Sequence, residues 1–461
     1  MKTGSELLAE LPFRWGTQGK IFIIGGLGYM FDAWDVVLPG FVLPLLAQSS
    51  WHLNSLELGI FGTIGLIGMA VGAFVWGSIA DLVGRRKAFS WTVLLFALFS
   101  LLSAVAPSYT WLLIFRFISG FGLGGCVPVD YSVVAEFMPK KNRGTMLTLM
   151  DVWWPIGATL NGLLASALLP FHNWRVLFLI MVVPALLVFW IRRGIPESPL
   201  YLVQSGRRAE ADDILSRLAK RTGVTLPATW SWSEKEEKVK VQWLGFITKF
   251  RDIWTYSWKI TLSVWLIFLS NLLLYYGVLI WLPSILVHQG YSDYKAYLAA
   301  TVMTAIGVIG TLLAAWLVEA WGRKPVIVIG GILAGLSMVG FGYQIHSHTA
   351  AYIWILVFGL TSEIVIPALY AYAPEVYPTR IRGTGFGWAS ALSRVGSGFV
   401  PAIFGSILWP IFGLANTFLA MTIFITISVL FMSIFAPETR GTALDEVIVN
   451  ASPKPQTNYE G

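Results

Sequence analysis

Polar residues gather in short clusters along the chain, and long apolar stretches separate them. The apolar spans near 21–47, 57–80, 87–107, 109–137, 143–168 and 174–192 form a first set of six, and those near 258–288, 293–318, 325–344, 351–375, 383–412 and 414–436 form a second. Each approaches or exceeds the roughly 20 residues an α-helix needs to cross a bilayer. Between the sets lies a polar stretch. Within it "SGRRAEADDILSRLAKR" places Ile214, Leu215 and Leu218 on one helical face and predicts a short amphipathic helix, and "SEKEEKVKVQ" follows. The expected organisation is a segment 1–20, a six-helix bundle 21–192, a central loop 193–257 with short amphipathic helices, a second bundle 258–436 and a tail 437–461.

Composition strengthens this picture. Of the 461 residues 56% are hydrophobic and only 12% charged, against about 25% charged in soluble domains, so a polytopic all-α membrane protein is expected. The mean hydropathy of +0.69 agrees. One cysteine, Cys126, excludes an intrachain disulfide and a cysteine metal cluster, and the five histidines lack metal-ligand spacing. No G-x-x-x-x-G-K-[ST] loop and no nucleophile–base constellation is visible, so neither an enzyme nor a cofactor is expected. The opening "MKTGSELLAELPFRWG" has no apolar core and does not read as a cleavable signal peptide.

The net charge of +7 is placed unevenly. With the N-terminus inside, the inner loops hold Arg85, Arg86, Lys87, Lys140, Lys141, Arg143, Arg192, Arg193, Arg323, Lys324, Arg380 and Arg382, and the outer loops little beyond Arg175 and Lys295. That asymmetry predicts both termini in the cytoplasm and accounts for the basic charge without nucleic acid.

The sequence also repeats. "AEFMPKKNRGT" from Ala135 matches "PEVYPTRIRGT" from Pro374, pairing Glu136 with Glu375 and Arg143 with Arg382, and "ADLVGRRK" from Ala80 is echoed by "VEAWGRKP" from Val318. Leu43 and Leu282 begin a matched "LP". Three matches in one order imply two homologous halves. Two such halves, related by an axis along the membrane normal, are the architecture of a major facilitator transporter with its site between them.

The repeated carboxylates and guanidiniums predict a charge-assisted network that closes the inner side. Its members are Asp81, Arg85, Arg86, Glu136, Arg143, Glu197, Glu319, Arg323, Glu375, Arg382 and Glu438. "GFGLGG" at 120–125 contains G-x-G-x-x-G, but it lies inside an apolar span, where small residues let helices approach; it reads as packing.

"GSIADLVGRR" at 77–86 resembles the major facilitator signature, and "PESPLYLVQSGR" and "PETRG" resemble the sugar-porter and organic-ion-porter branch. "GYMFDAWDVVLP", "YYGVLIWLPS" and "YAYAPEVYPTRIRGTG" look most like bacterial niacin porters and related metabolite–proton symporters. Leu82, where the signature prefers arginine, is a departure expected to weaken one gate contact. The resemblance implies a fold of twelve transmembrane helices in two pseudo-symmetric six-helix bundles, a place in the inner membrane, alternating access and a monomer in membrane lipid.

Ionisable residues inside the spans carry the functional expectations. Asp32 and Asp35 point roughly to one side of the first helix, with Arg116 of the fourth as a candidate partner. A static buried salt bridge is the plain reading. By resemblance the pair is a proton switch, with Asp35 better aligned to the coupling acid and Asp32 still open. Arg394 in the eleventh helix must face a cavity or a partner, and its fork suits a carboxylate. Pairing with Glu363 or Asp151 is the alternative. The relatives carry a basic residue there when they move anions, which implies a small organic anion. Asn271, Tyr275, Tyr276, Tyr370, Tyr372, Trp153, Trp154 and Asn161 complete a candidate aromatic and amide lining. With one arginine, the set fits proton-coupled uptake of a carboxylated aromatic such as nicotinate. A sugar–proton symporter is a rival, although the seventh helix lacks the "QQ" of sugar porters; an organic cation porter is disfavoured by Arg394. A sensor or membrane enzyme is a more remote reading.

Overall fold

The computed structural model describes residues 2–141, 143–227, 229–232, 245–377 and 381–440, apart from some side chains inside helices. Described residues are helical almost throughout, with one isolated bridge between Thr3 and Ser231. In order the helices are α1 (Gly4–Glu10), α2 (Lys20–Ala47), α3 (Ser55–Val83), α4 (Arg85–Ser103), α5 (Tyr109–Phe137), α6 (Arg143–Met150), α7 (Trp153–Leu168), α8 (Trp174–Leu179) and α9 (Val182–Gly194). They continue with α10 (Pro199–Gln204), α11 (Arg208–Thr222), α12 (Gly245–His288), α13 (Asp293–Trp321), α14 (Arg323–Gln344) and α15 (His348–Glu375). The last three are α16 (Arg382–Ile403), α17 (Trp409–Phe412) and α18 (Leu414–Phe435).

Eleven helical stretches among the described residues are long and apolar enough to cross a membrane. Two expected spans differ from single continuous helices, and for one reason. The fifth breaks at Asp151–Val152 between α6 and α7, and the sixth at Ile180–Met181 between α8 and α9. Pro155 and Pro184 each stand third in the helix that resumes, where a proline ring would clash with the carbonyl four residues back, at Asp151 and Ile180. The chain turns there through tighter bonds instead, from the amide of Trp154 to the Asp151 carbonyl and from that of Val183 to the Ile180 carbonyl. In α12, helix already runs from Gly245, and a non-helical Ser257 marks the start of the seventh span.

The amphipathic helix of the central loop is α11, with Ala211, Ile214, Leu215, Leu218 and Ala219 buried and Gly223 closing it in the left-handed conformation. "SEKEEKVKVQ", the tail from residue 441 and Arg380 lie outside the described residues.

By packing, the chain divides into two compact units. The first comprises Met1–Val241, Tyr276–Ala305 and Gly398–Pro410; the second comprises Gln242–Tyr275, Ile306–Ser397 and Ile411–Gly461. In the first, α3 and α5 pack with backbones in near contact. A Cβ on Gly120 would meet the Gly65 carbonyl oxygen at 2.0 Å, which is the packing role expected of "GFGLGG". The end of α2 meets the borrowed segments in the same unit: the Tyr297 hydroxyl donates to the Phe41 carbonyl, and a Cβ on Gly40 would meet the Leu279 carbonyl oxygen at 2.8 Å. The Ala402 amide donates to Thr63 Oγ1 at 3.0 Å.

Candidate functional site

In the first unit, α2 and α5 bring Asp35 and Arg116 together. Their side chains are 0% and 1% exposed, and Arg116 Nη1 donates to Asp35 Oδ1 at 2.8 Å. Nη1 also reaches Ser100 Oγ at 2.9 Å, and Nη2 the Asp35 carbonyl at 3.3 Å. Ser100 donates to Asp35 Oδ1, and Ser119 to Oδ2 at 2.8 Å. Every carboxylate oxygen is therefore satisfied, as a buried charge requires. The guanidinium lies 5.7 Å from the Phe178 ring centre, and Gly65 leaves room for it: a Cβ there would stand 3.3 Å from Nη2. Of the two aspartates that sequence left open, Asp35 holds the arginine, and Asp32 is fully buried one turn earlier.

Around the break between α6 and α7 stands an aromatic cluster. Tyr29 packs at 5.5 Å against both Tyr131 and Trp154, and the Tyr131 hydroxyl donates to Asp151 Oδ1. Trp153 turns elsewhere, edge-on to Phe22 at 6.3 Å and against Gly26, within a cluster built on Val134, Met138 and Met150. Asn161 donates its amide to the Trp34 carbonyl and ties α7 to α2.

In the second unit, the Tyr275 hydroxyl donates to Glu363 Oε1 at 2.7 Å. Glu363 is buried and leans on Gly307 and Gly310. Asn271 bonds its own helix at the Ile267 carbonyl, 2.9 Å away. Tyr370 packs at 5.6 Å against Phe268, tilted, and against Phe386, edge-on. Arg394 is half-buried on α16. Tyr372 serves a different place, donating to the Pro437 carbonyl at 2.7 Å. Tyr276 is buried and falls in the first unit, the division passing between it and Tyr275.

The loop charges form one network in each unit. In the first, Arg85 Nε meets Glu136 Oε1 at 3.0 Å, and Glu197 Oε1 accepts the Arg86 amide at 3.0 Å. In the second, Arg323 grips Glu375 with two bonds of 3.1 and 3.2 Å and meets Glu319 at 2.9 Å. Glu438 accepts the amides of Arg323 and Lys324 at 3.0 and 2.9 Å. Thr439 Oγ1 joins at Glu375 Oε2, 2.5 Å away. Arg143 bonds the Met138 carbonyl at 3.3 Å. Leu82 is exposed, and its carbonyl accepts from the Tyr201 hydroxyl. The side chains of Asp81 and Arg382 lie outside the described set.

Sequence reasoning missed Ser100, Ser119, Tyr29, Tyr131 and Asp130. The serines carry no signal of their own, since hydroxyls are common in apolar helices. Asp130 did carry one, being an acid inside the apolar run "CVPVDYSVV". Among the described residues no group of three or more His, Cys, Asp or Glu is arranged to hold a metal.

The sequence pattern of the family described as "Sugar (and other) transporter" matches residues 30–450. A niacin transporter of Acinetobacter baylyi is 34% identical over 424 residues, covering 92% of this chain and 94% of that one. A putative niacin/nicotinamide transporter of Bacillus subtilis is 30% identical over 438 residues, 93% of this chain and 98% of that one. The crystal structure of a D-xylose–proton symporter superposes with a TM-score of 0.72 at 22% identity, over 92% of this chain and 99% of that one.

Proposed function

The chain belongs to the sugar (and other) transporter family, and on that premise we propose that it takes up nicotinate, or a similar small aromatic carboxylate, together with protons. It is a multi-pass membrane protein with the helical fold of the xylose symporters. The substrate reading is supported by kinship to niacin transporters along nearly the whole chain. The observation that carries the proton reading is the buried Asp35–Arg116 pair wrapped by Ser100 and Ser119.

A proton reaching Asp35 cancels the charge that holds Arg116. The guanidinium is then left with hydroxyl and carbonyl acceptors alone, in an interior where an uncompensated charge is costly. The arrangement of α2, α4 and α5 that suits the ion pair therefore differs from the one that suits the protonated acid, and substrate binding biases which is occupied. In the second unit Arg394 supplies the cation for the carboxylate and Tyr370 a ring face for a flat heterocycle. Within each unit an acid accepts from a tyrosine hydroxyl, Asp151 from Tyr131 in the first and Glu363 from Tyr275 in the second.

Transport runs by alternating access of the two halves, 21–192 and 258–436, and the networks of Arg85 with Glu136 and of Arg323 with Glu375 each brace helix ends within one half. The positive loops support a reading with both termini in the cytoplasm, and the kinship to bacterial niacin transporters supports the inner membrane and a monomer. The test is uptake of labelled nicotinate into proteoliposomes under an imposed inward proton gradient. Concentrative uptake abolished by a protonophore supports the reading. Accumulation of a sugar or a cation with nicotinate ignored would sink the substrate assignment and leave the fold and gate intact.

A further inference from the structure

Asp130 of α5 is 0% exposed, and both its carboxyl oxygens lack a hydrogen-bond partner among the described residues. It faces α2: a Cβ on Gly28 would stand 2.8 Å from Asp130 Oδ2. Asp32 lies one turn beyond Gly28 on the same face of α2, and it is the charged group whose field acts on Asp130. Two acids thus lie near each other in the apolar interior of the first unit.

The surroundings narrow what they hold. Phe89 of α4 closes the side, its ring 2.6 Å from the same Cβ position on Gly28. From α5 itself comes Cys126, a buried thiol that feels Asp130, Asp32 and Asp35. The helix α3 also packs on α5; its described acid is Glu57, in the capping box at its far start, and the side chain of Asp81 lies outside the described set. Asp151 is engaged by Tyr131, and Arg116 by Asp35. A metal ion needs more oxygen donors than two carboxylates supply here. Two neighbouring buried carboxylates cannot both keep their charge, and a proton held between them resolves the conflict.

We propose that Asp32 and Asp130 form a second proton site, two carboxyl groups sharing one exchangeable proton, separate from the Asp35–Arg116 pair. Asp32 lies three residues before Asp35, about 4.5 Å along the axis, and Asp130 faces α2 at Gly28, a further turn back, so the site lies nearer the N-terminal end of α2 than the coupling pair does. Asp32 stands between Asp130 and Asp35 and gives a proton leaving Asp35 an acceptor on the way. No bond other than O–H changes: one carboxylate takes a proton from water, and the same proton returns to water.

Infrared difference spectroscopy of the purified full chain on a change of pH reads this without substrate or gradient. The expected spectrum contains a carboxylic-acid C=O band that is lost in Asp130→Asn and in Asp32→Asn and persists in Asp35→Asn. A band unaltered by Asp130→Asn overturns the proposal; loss in Asp130→Asn alone overturns the sharing. Should the asparagine variant not fold, Asp130→Glu carries the test, since a shared proton then gives a displaced band and an undisplaced one refutes it. The inference concerns the same transport cycle as the proton-coupled reading, but the two fail separately. Absence of gradient-driven uptake in the wild type removes symport and leaves the infrared result standing.

Discussion

Glu197 and Glu438 cap the same helix start in the two sequence repeats. Glu197 accepts the amide of Arg86 at the beginning of α4, and Glu438 accepts those of Arg323 and Lys324 at the beginning of α14. Each helix follows a glycine with φ of 101°, Gly84 or Gly322, and each carboxylate satisfies orphan amides while meeting the positive end of the helix. The acids of "PESP" and "PETR" therefore act as caps supplied from distant segments, and the Arg85–Glu136 and Arg323–Glu375 pairs stand beside them.

Unequal caps predict unequal losses. Glu438 also accepts the amides of Thr439 and Arg440, both at 2.9 Å, whereas among the described residues Glu197 adds that of Ser198 at 3.1 Å. Removing a cap costs about 0.5–2 kcal/mol. Glu438→Ala should lower the unfolding temperature in detergent more than Glu197→Ala. Equal shifts would contradict the assignment.

The two glycines give a second prediction. A side chain at φ of 101° is strained by about 1–3 kcal/mol. A Cβ would moreover stand 2.7 Å from Glu197 Oε2 at Gly84 and 2.8 Å from Glu438 Oε2 at Gly322. Gly84→Ala and Gly322→Ala should each destabilise the protein and slow transport. Gly387→Ala, within α16 and with nothing within 4 Å of the new carbon, should do neither. Thermal melts of the three variants decide it.

Much of this was legible in the chain because membranes impose coarse rules. Span length and the repeat of Glu136 and Arg143 in Glu375 and Arg382 survive any detail of packing. The breaks at Asp151 and Ile180 were not read, although Pro155 and Pro184 were visible, because α2 carries Pro39 and Pro44 without breaking and only tertiary packing decides between these outcomes. Asp35 against Asp32 could not be separated by helical phase, since residues three apart share a face. The choice is made by Ser100 and Ser119, which come from other helices. Trp153 and Trp154 are adjacent in sequence yet face different neighbours, a division that composition cannot express.

A static salt bridge and a proton switch at Asp35 make different predictions. Removing one partner of a buried pair leaves an uncompensated charge and costs about 3–5 kcal/mol. Asp35→Asn and Arg116→Gln should each destabilise the protein markedly, and the double variant should recover part of that loss. If the pair is only structural, the stable double variant transports against a gradient like the wild type. If it couples, the double variant folds and exchanges substrate across the membrane, but a proton gradient no longer drives accumulation. Melting curves together with driven uptake and exchange in proteoliposomes distinguish the two.

Arg394 carries the substrate prediction. A charge-assisted bond contributes about 1.5–3 kcal/mol, so losing it from a carboxylate weakens binding by roughly 10-fold to 150-fold. Nicotinate and nicotinamide share a ring and differ in that one group, so the arginine should distinguish them. The wild type should prefer nicotinate, and Arg394→Gln should lose most of that preference while binding nicotinamide much as before. Arg394→Lys, which keeps the charge and loses the planar fork, should fall between them. Competition by each compound against labelled nicotinate measures all three. A preference that survives in Arg394→Gln would mean that the carboxylate is read elsewhere and that Arg394 serves an internal acid such as Glu363, which shares its unit and already holds the Tyr275 hydroxyl.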